Sequence, residues 1–176
     1  MSEALRPTLL SSCARAATAE EARFRVNYPN SRRRRSRIFA LDVGAAETMY
    51  AISDAPWNDA HFLTVIGSGI ADPDRFSAAA LPLAAPDGTR ADLATELEAA
   101  DLVVLLASTA SNPGAAEVIA REAFHRKTMI AALALGQGLI AADLNSVVAA
   151  LRPFASVLVV ATDLDYVPAM LTALRA

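Results

Sequence analysis

Leu102-Val103-Val104-Leu105-Leu106-Ala107-Ser108-Thr109-Ala110-Ser111-Asn112-Pro113-Gly114 is the stretch on which the fold turns. Its first half is apolar without alternation, which predicts a strand covered on both faces, as parallel strands between helical layers are. Its second half is rich in helix-start residues: Asn112 is placed as an N-cap and Pro113 in the first turn, where a missing N–H costs nothing. Beyond it, Val118, Ile119, Ala123 and Phe124 form an apolar stripe, and Glu117 and Arg121 stand four apart on the outer side.

Working outward, residues 38–43, 62–66, 128–135 and 156–161 read as further strands of the same kind. Met49 and Ile52 share one face of a helix after Gly44, and Leu93 and Leu97 mark another that ends before Asp101. Asp143 is expected to cap a helix carrying Leu144, Val147, Val148 and Leu151, stopped by Pro153. Asp165 is expected to cap a last helix with Pro168 in its first turn and Met170, Leu171 and Leu174 inward. The order is β-α-β, a less regular stretch at 67–90, then α-β-α-β-α-β-α. It predicts an α/β domain with a doubly wound, mainly parallel, Rossmann-like three-layer sheet of about five or six strands. Trp57, in the loop before the second strand, is expected to cover the sheet.

The chain has 176 residues, a length suited to one such domain, and is 54 % apolar, enough for its core. No apolar run reaches the roughly 18 residues of a membrane span. One cysteine, Cys13, excludes an internal disulfide, and two histidines, His61 and His125, leave no cysteine–histidine cluster for zinc. Leu9-Leu10-Ser11-Ser12-Cys13 and the arginines at 32–35 suggest export signals, but neither has the apolar segment such signals need, so a cytoplasmic protein is expected.

Charge is uneven. Residues 1–37 hold nine arginines against three glutamates, whereas residues 38–176 hold seven basic groups against sixteen acids. The division predicted is an arginine-rich extension at 1–36, with at most a weak helix over 14–24, and a domain at 37–176. Such an arm is either a solvated tether or, through Arg32, Arg33, Arg34 and Arg35, a contact for nucleic acid, an anionic surface or the acidic body of a second subunit.

In an open parallel sheet, ligands bind beyond the carboxyl ends of the strands where strand order reverses. Three loops are candidates. Gly44 and Ala45 follow the first strand; Ser108, Thr109, Ser111, Asn112 and Gly114 follow the third; Asp163 follows the last. Their hydroxyls and helix-end N–H groups suit a small anionic or nucleotide-like ligand, and equally suit capping and turn formation. No residue is assigned a catalytic role: neither histidine has a serine or cysteine in a nucleophile motif, and Asp54, Asp59, Asp72 and Asp74 match no metal-binding spacing. The cofactor is unassigned.

The order of elements resembles the nucleotide-binding half of the tubulin and bacterial FtsZ family. Ile38-Phe39-Ala40-Leu41-Asp42-Val43-Gly44 is similar to that family's first strand and glycine loop, and Ala60-His61-Phe62-Leu63-Thr64-Val65 to its second strand. Ala99-Ala100-Asp101 through Leu106, leading to Ala115-Ala116-Glu117-Val118-Ile119-Ala120, is similar to its strand, signature loop and helix, and the pattern continues through Val157-Leu158-Val159-Val160. The family's G-G-G-T-G-T-G loop, however, is replaced by Ser108 to Gly114, and the chain stops where the family enters its long central helix. The resemblance therefore implies a relative that keeps the sheet without the GTPase site. The function expected is a non-catalytic binding or regulatory protein, assembling with itself or a protein partner, with a divergent nucleotide-dependent hydrolase as the alternative.

Overall fold

The computed structural model describes residues 33–75, 77–136, 144–162 and 165–176. Those from Arg33 onward belong to one contact unit, Arg33–Ala176. Its strands are β1 (Arg35–Ala40), β2 (Asp59–Val65), β3 (Leu83–Ala84), β4 (Arg90–Ala91), β5 (Leu102–Ala107), β6 (Met129–Leu135) and β7 (Val157–Ala161). Its helices are α1 (Val43–Ser53), α2 (Leu93–Glu98), α3 (Pro113–His125), α4 (Asn145–Leu151) and α5 (Tyr166–Leu174). Among these, no helix is long and apolar enough to cross a membrane.

The sheet runs β4-β3-β2-β1-β5-β6-β7. β2, β1, β5, β6 and β7 are mutually parallel, whereas β3 joins β2 and β4 joins β3 antiparallel. This corrects the expected five or six strands to seven. The two additional strands are two residues each, too short to leave any periodic trace in the irregular stretch at 67–90.

One core packs Phe39, Leu63, Val103 and Leu105 against Leu93, Leu97, Val118, Ile119, Val147 and Leu151 of α2, α3 and α4. The other packs Ile38, Val104, Leu106 and Leu133 against Met49 of α1 and Val167, Met170 and Leu171 of α5. Helices thus lie on both faces, an arrangement consistent with a Rossmann-like class. Trp57 packs on the second core, 6.4 Å from the Phe62 ring, and its indole N–H donates to the Ile52 carbonyl at 2.8 Å. Phe124, read as inward-facing, is 54 % exposed and meets Phe154 edge-on at 5.8 Å. It follows the inward Ala123, and at 100° per residue it turns out of the buried arc near the end of α3.

Four residues read with the extension, Arg33 to Ser36, lie in this unit, and β1 opens at Arg35. The Arg34 backbone N–H donates to the Arg175 carbonyl at 2.9 Å, and its buried guanidinium reaches the Met129 sulfur at 2.9 Å. Arg35 grips Asp101 with two nitrogens at 3.0 and 3.1 Å. That hydrogen-bonded pairing raises the pKa of the Arg35 guanidinium. Arg37, also buried, meets Glu96 at 2.7 Å and donates to the Ser36 carbonyl at 3.1 Å. Arg34 and Arg35 are therefore engaged at the start of the sheet, while Arg33 is exposed and Arg32 lies outside the described residues.

Candidate functional site

β1 and β5 are neighbours, yet β1 is followed by α1 on one face and β5 by α3 on the other. Their carboxyl ends form the reversal point at which ligands of such sheets lie. After β1, Leu41 still donates to the Leu106 carbonyl at 2.9 Å, and Asp42 stays extended before the chain turns into α1. Asp42 is 7 % exposed, and its carboxylate is fully engaged. Oδ1 accepts from the Ala45 N–H at 3.0 Å and from the Ser108 hydroxyl. Oδ2 accepts from the N–H groups of Ser108 at 2.8 Å and Thr109 at 3.0 Å. One side chain thus caps α1 and ties it to the loop after β5.

Gly44 lies close against the loop after β5. A Cβ there would run into the Ser108 hydroxyl and stand 3.3 Å from the Ser108 Cβ, so glycine is needed for close approach of the two loops.

The N-terminus of α3 is closed as well. Asn112 occupies its N-cap position, but the side chain makes no cap hydrogen bond, which corrects the expected capping role. It is buried, at 1 % exposure, and clamps the end of β1 to the loop after β2: Oδ1 accepts from the Ile70 N–H at 3.1 Å, and Nδ2 donates to the carbonyls of Leu41 at 2.6 Å and Gly67 at 3.0 Å. A carbonyl in a buried residue such as Leu41 needs a donor, and this amide supplies one. The Gly114 N–H donates to the Ile70 carbonyl at 2.8 Å, and a Cβ at Gly114 would stand 2.8 Å from the Ala71 carbonyl carbon and 2.9 Å from the Ile70 oxygen. Gly114→Ala therefore requires backbone movement, and we expect it to cost about 1–3 kcal/mol, read from urea denaturation midpoints. Full wild-type stability in that variant would show that the 67–71 segment does not rest on α3.

Thr109 and Ser111 remain at the rim, their hydroxyls 2.6 Å apart and exposed. Of the residues singled out in the sequence, Gly44, Ala45, Ser108 and Thr109 meet around Asp42, Ser111 joins through Thr109, and Asn112 and Gly114 pack on 67–71. Asp163 lies outside the described residues. Sequence reasoning gave Asp42 no role, although an acid at a strand-to-helix junction is itself an N-cap signal. It also passed over Gly67, Ile70 and Ala71, which carry no chemical mark.

A second polar cluster lies beside β2, where a groove of about 510 Å³ is lined by Ala60, His61, Phe62, Asp92, Thr95 and Glu96 among others. His61 Nδ1 stands 2.9 Å from Glu96 Oε2, the oxygen that also holds Arg37. Asp92 caps α2, and the Thr95 N–H and hydroxyl hold its carboxyl below the usual range. Among the described residues, no group of three or more histidine, cysteine or acidic side chains is placed to hold a metal ion.

No family model and no curated protein matches this chain.

Proposed function

We propose that the chain is a non-catalytic binding or regulatory domain of the Rossmann-like kind, which acts through contacts with other protein surfaces. The observation that carries this reading is the position of Asp42. The N–H groups that would receive a phosphate at the reversal point, those of Ala45, Ser108 and Thr109, already donate to its carboxylate. The Gly114 N–H on α3 is taken by a protein carbonyl. An incoming anion would have to displace a buried carboxylate or face it across a few ångströms, where like charges repel. A divergent descent from the tubulin and FtsZ nucleotide-binding half belongs to the same reading, supported by the strand-loop-helix pattern, with the replaced glycine loop as the departure that goes with loss of the GTPase site. So does a cytoplasmic setting, supported by the single cysteine.

A thermal-shift series with inorganic phosphate, GTP, ATP, NAD and coenzyme A tests the proposal. A ligand of the folded state raises the melting temperature in proportion to the logarithm of its excess over Kd. The expected result is a flat response to each. A saturable rise that disappears in Thr109→Val, accompanied by phosphate release, would replace this reading with the nucleotide-dependent hydrolase.

A further inference from the structure

We infer that two copies of this chain join edge to edge through β7, antiparallel about a two-fold axis at Val159, so that two sheets continue into one. β7 ends the strand order, and its ladder pairs Ala131 through Leu135 of β6 with Val157 through Ala161. Among the described residues it has no second neighbour strand. Alternate N–H and C=O groups of such a strand point outward, ready to pair with another chain.

Edge strands are ordinarily blunted by charge, proline, brevity or a bulge. The opposite edge follows that rule: β3 and β4 are two residues each, and β4 carries the exposed Arg90. β7 does not. From Ser156 to Thr162 the sequence holds neither a charge nor a proline. Val157, Leu158 and Val159 are only partly covered, and Val160 is 50 % exposed, a large loss of burial for a β-branched residue in a sheet.

Charge selects the partner. In a two-fold contact each group meets the same patch on the other subunit, so a charged strand would face its own sign, whereas a neutral one is self-complementary. With Val159 on the axis, Val157 lies opposite Ala161 and Leu158 opposite Val160, which are apolar cross-strand pairs of the favourable kind. Leu158 packs on one core and Val157 on the other, so the pairing extends both apolar layers across the junction.

The inference rests on the proposed function insofar as it names the protein partner, but the two are tested apart: ligand titration reads the crevice, and sedimentation reads the edge. Sedimentation of the full chain across micromolar concentrations is expected to show a reversible dimer. Val160→Lys and Val160→Glu should each weaken dimerisation by about 10-fold or more, because each sets a charge against Leu158 of the second copy and diagonally across from its own kind, while an equimolar mixture of the two, whose diagonal pair is of opposite sign, binds more tightly than either variant alone. Amide exchange in the wild type supplies the second reading, with β7 protected at high concentration and released on dilution. A monomeric wild type, a dimer indifferent to Val160→Lys, a mixture that binds no more tightly than either variant alone, or β7 exchange independent of concentration would each overturn the inference.

Discussion

Asp42→Ala is expected to lower the stability of the domain by about 2–3 kcal/mol, without altering the denaturant slope. The magnitude follows from what the alanine leaves behind. Loss of an acidic N-cap alone costs about 1 kcal/mol. The N–H groups of Ser108 and Thr109 then lose a charged acceptor in a partly buried position, where water replaces part of the bond, at about 0.5–1 kcal/mol each. Asp42→Asn should cost less, because the remaining amide oxygen can still accept, though its NH₂ now faces donors. The variant also carries a diagnostic response: acetate or phosphate should raise its denaturation midpoint and leave the wild type unchanged, because the vacated amides become a small-anion site. A loss below about 1 kcal/mol, or equal anion effects on both proteins, would mean that the carboxylate does not fill that position.

The legible part of the fold was the part with long apolar runs. β5 and β6 lie within a residue of their expected starts because nothing polar interrupts Leu102 to Ala107 or Met129 to Leu135. β1 was read too late, since Arg35, Ser36 and Arg37 have the composition of an exposed arm. Their partners, Asp101 and Glu96, come from elements about 60 residues further along, which no local pattern contains. β3 and β4 left no signal because two residues cannot show a period. The site was legible as a place but not as a state. Hydroxyl, amide and glycine positions in the loops identify the strand ends, but whether Asp42 faces solvent or turns onto the neighbouring loop depends on the β1–β5 pairing, a tertiary fact. Asn112 shows the same limit. Its position before Pro113 indicates a cap, yet the side chain follows the unpaired carbonyls of two other loops, which become visible only when those loops converge.

That convergence makes Asn112→Asp the other large expected effect, a loss of about 3–5 kcal/mol or failure to fold. The substitution is nearly isosteric, so no cavity forms and the outcome isolates polarity. The side chain keeps one contact, because a carboxylate oxygen can still accept from the Ile70 N–H. It cannot keep both of the others, since the NH₂ that serves the Leu41 and Gly67 carbonyls gives way to an oxygen that carries one O–H, enough for one carbonyl, when protonated and none when ionised. A charge at 1 % exposure with no cation among the three partners named here would hold its proton instead of ionising. Linkage then fixes the sign with pH. A carboxyl whose folded pKa lies above its unfolded value contributes most below the unfolded value and loses that contribution as pH rises through the folded one. The variant should therefore be more stable relative to wild type at pH 4 than at pH 8, and Asn112→Ala, which removes the clamp without adding a titratable group, should show a cost that does not change over that range. Parallel pH profiles for the two variants would indicate that water reaches residue 112, and with it the crevice that Asp42 and Asn112 close.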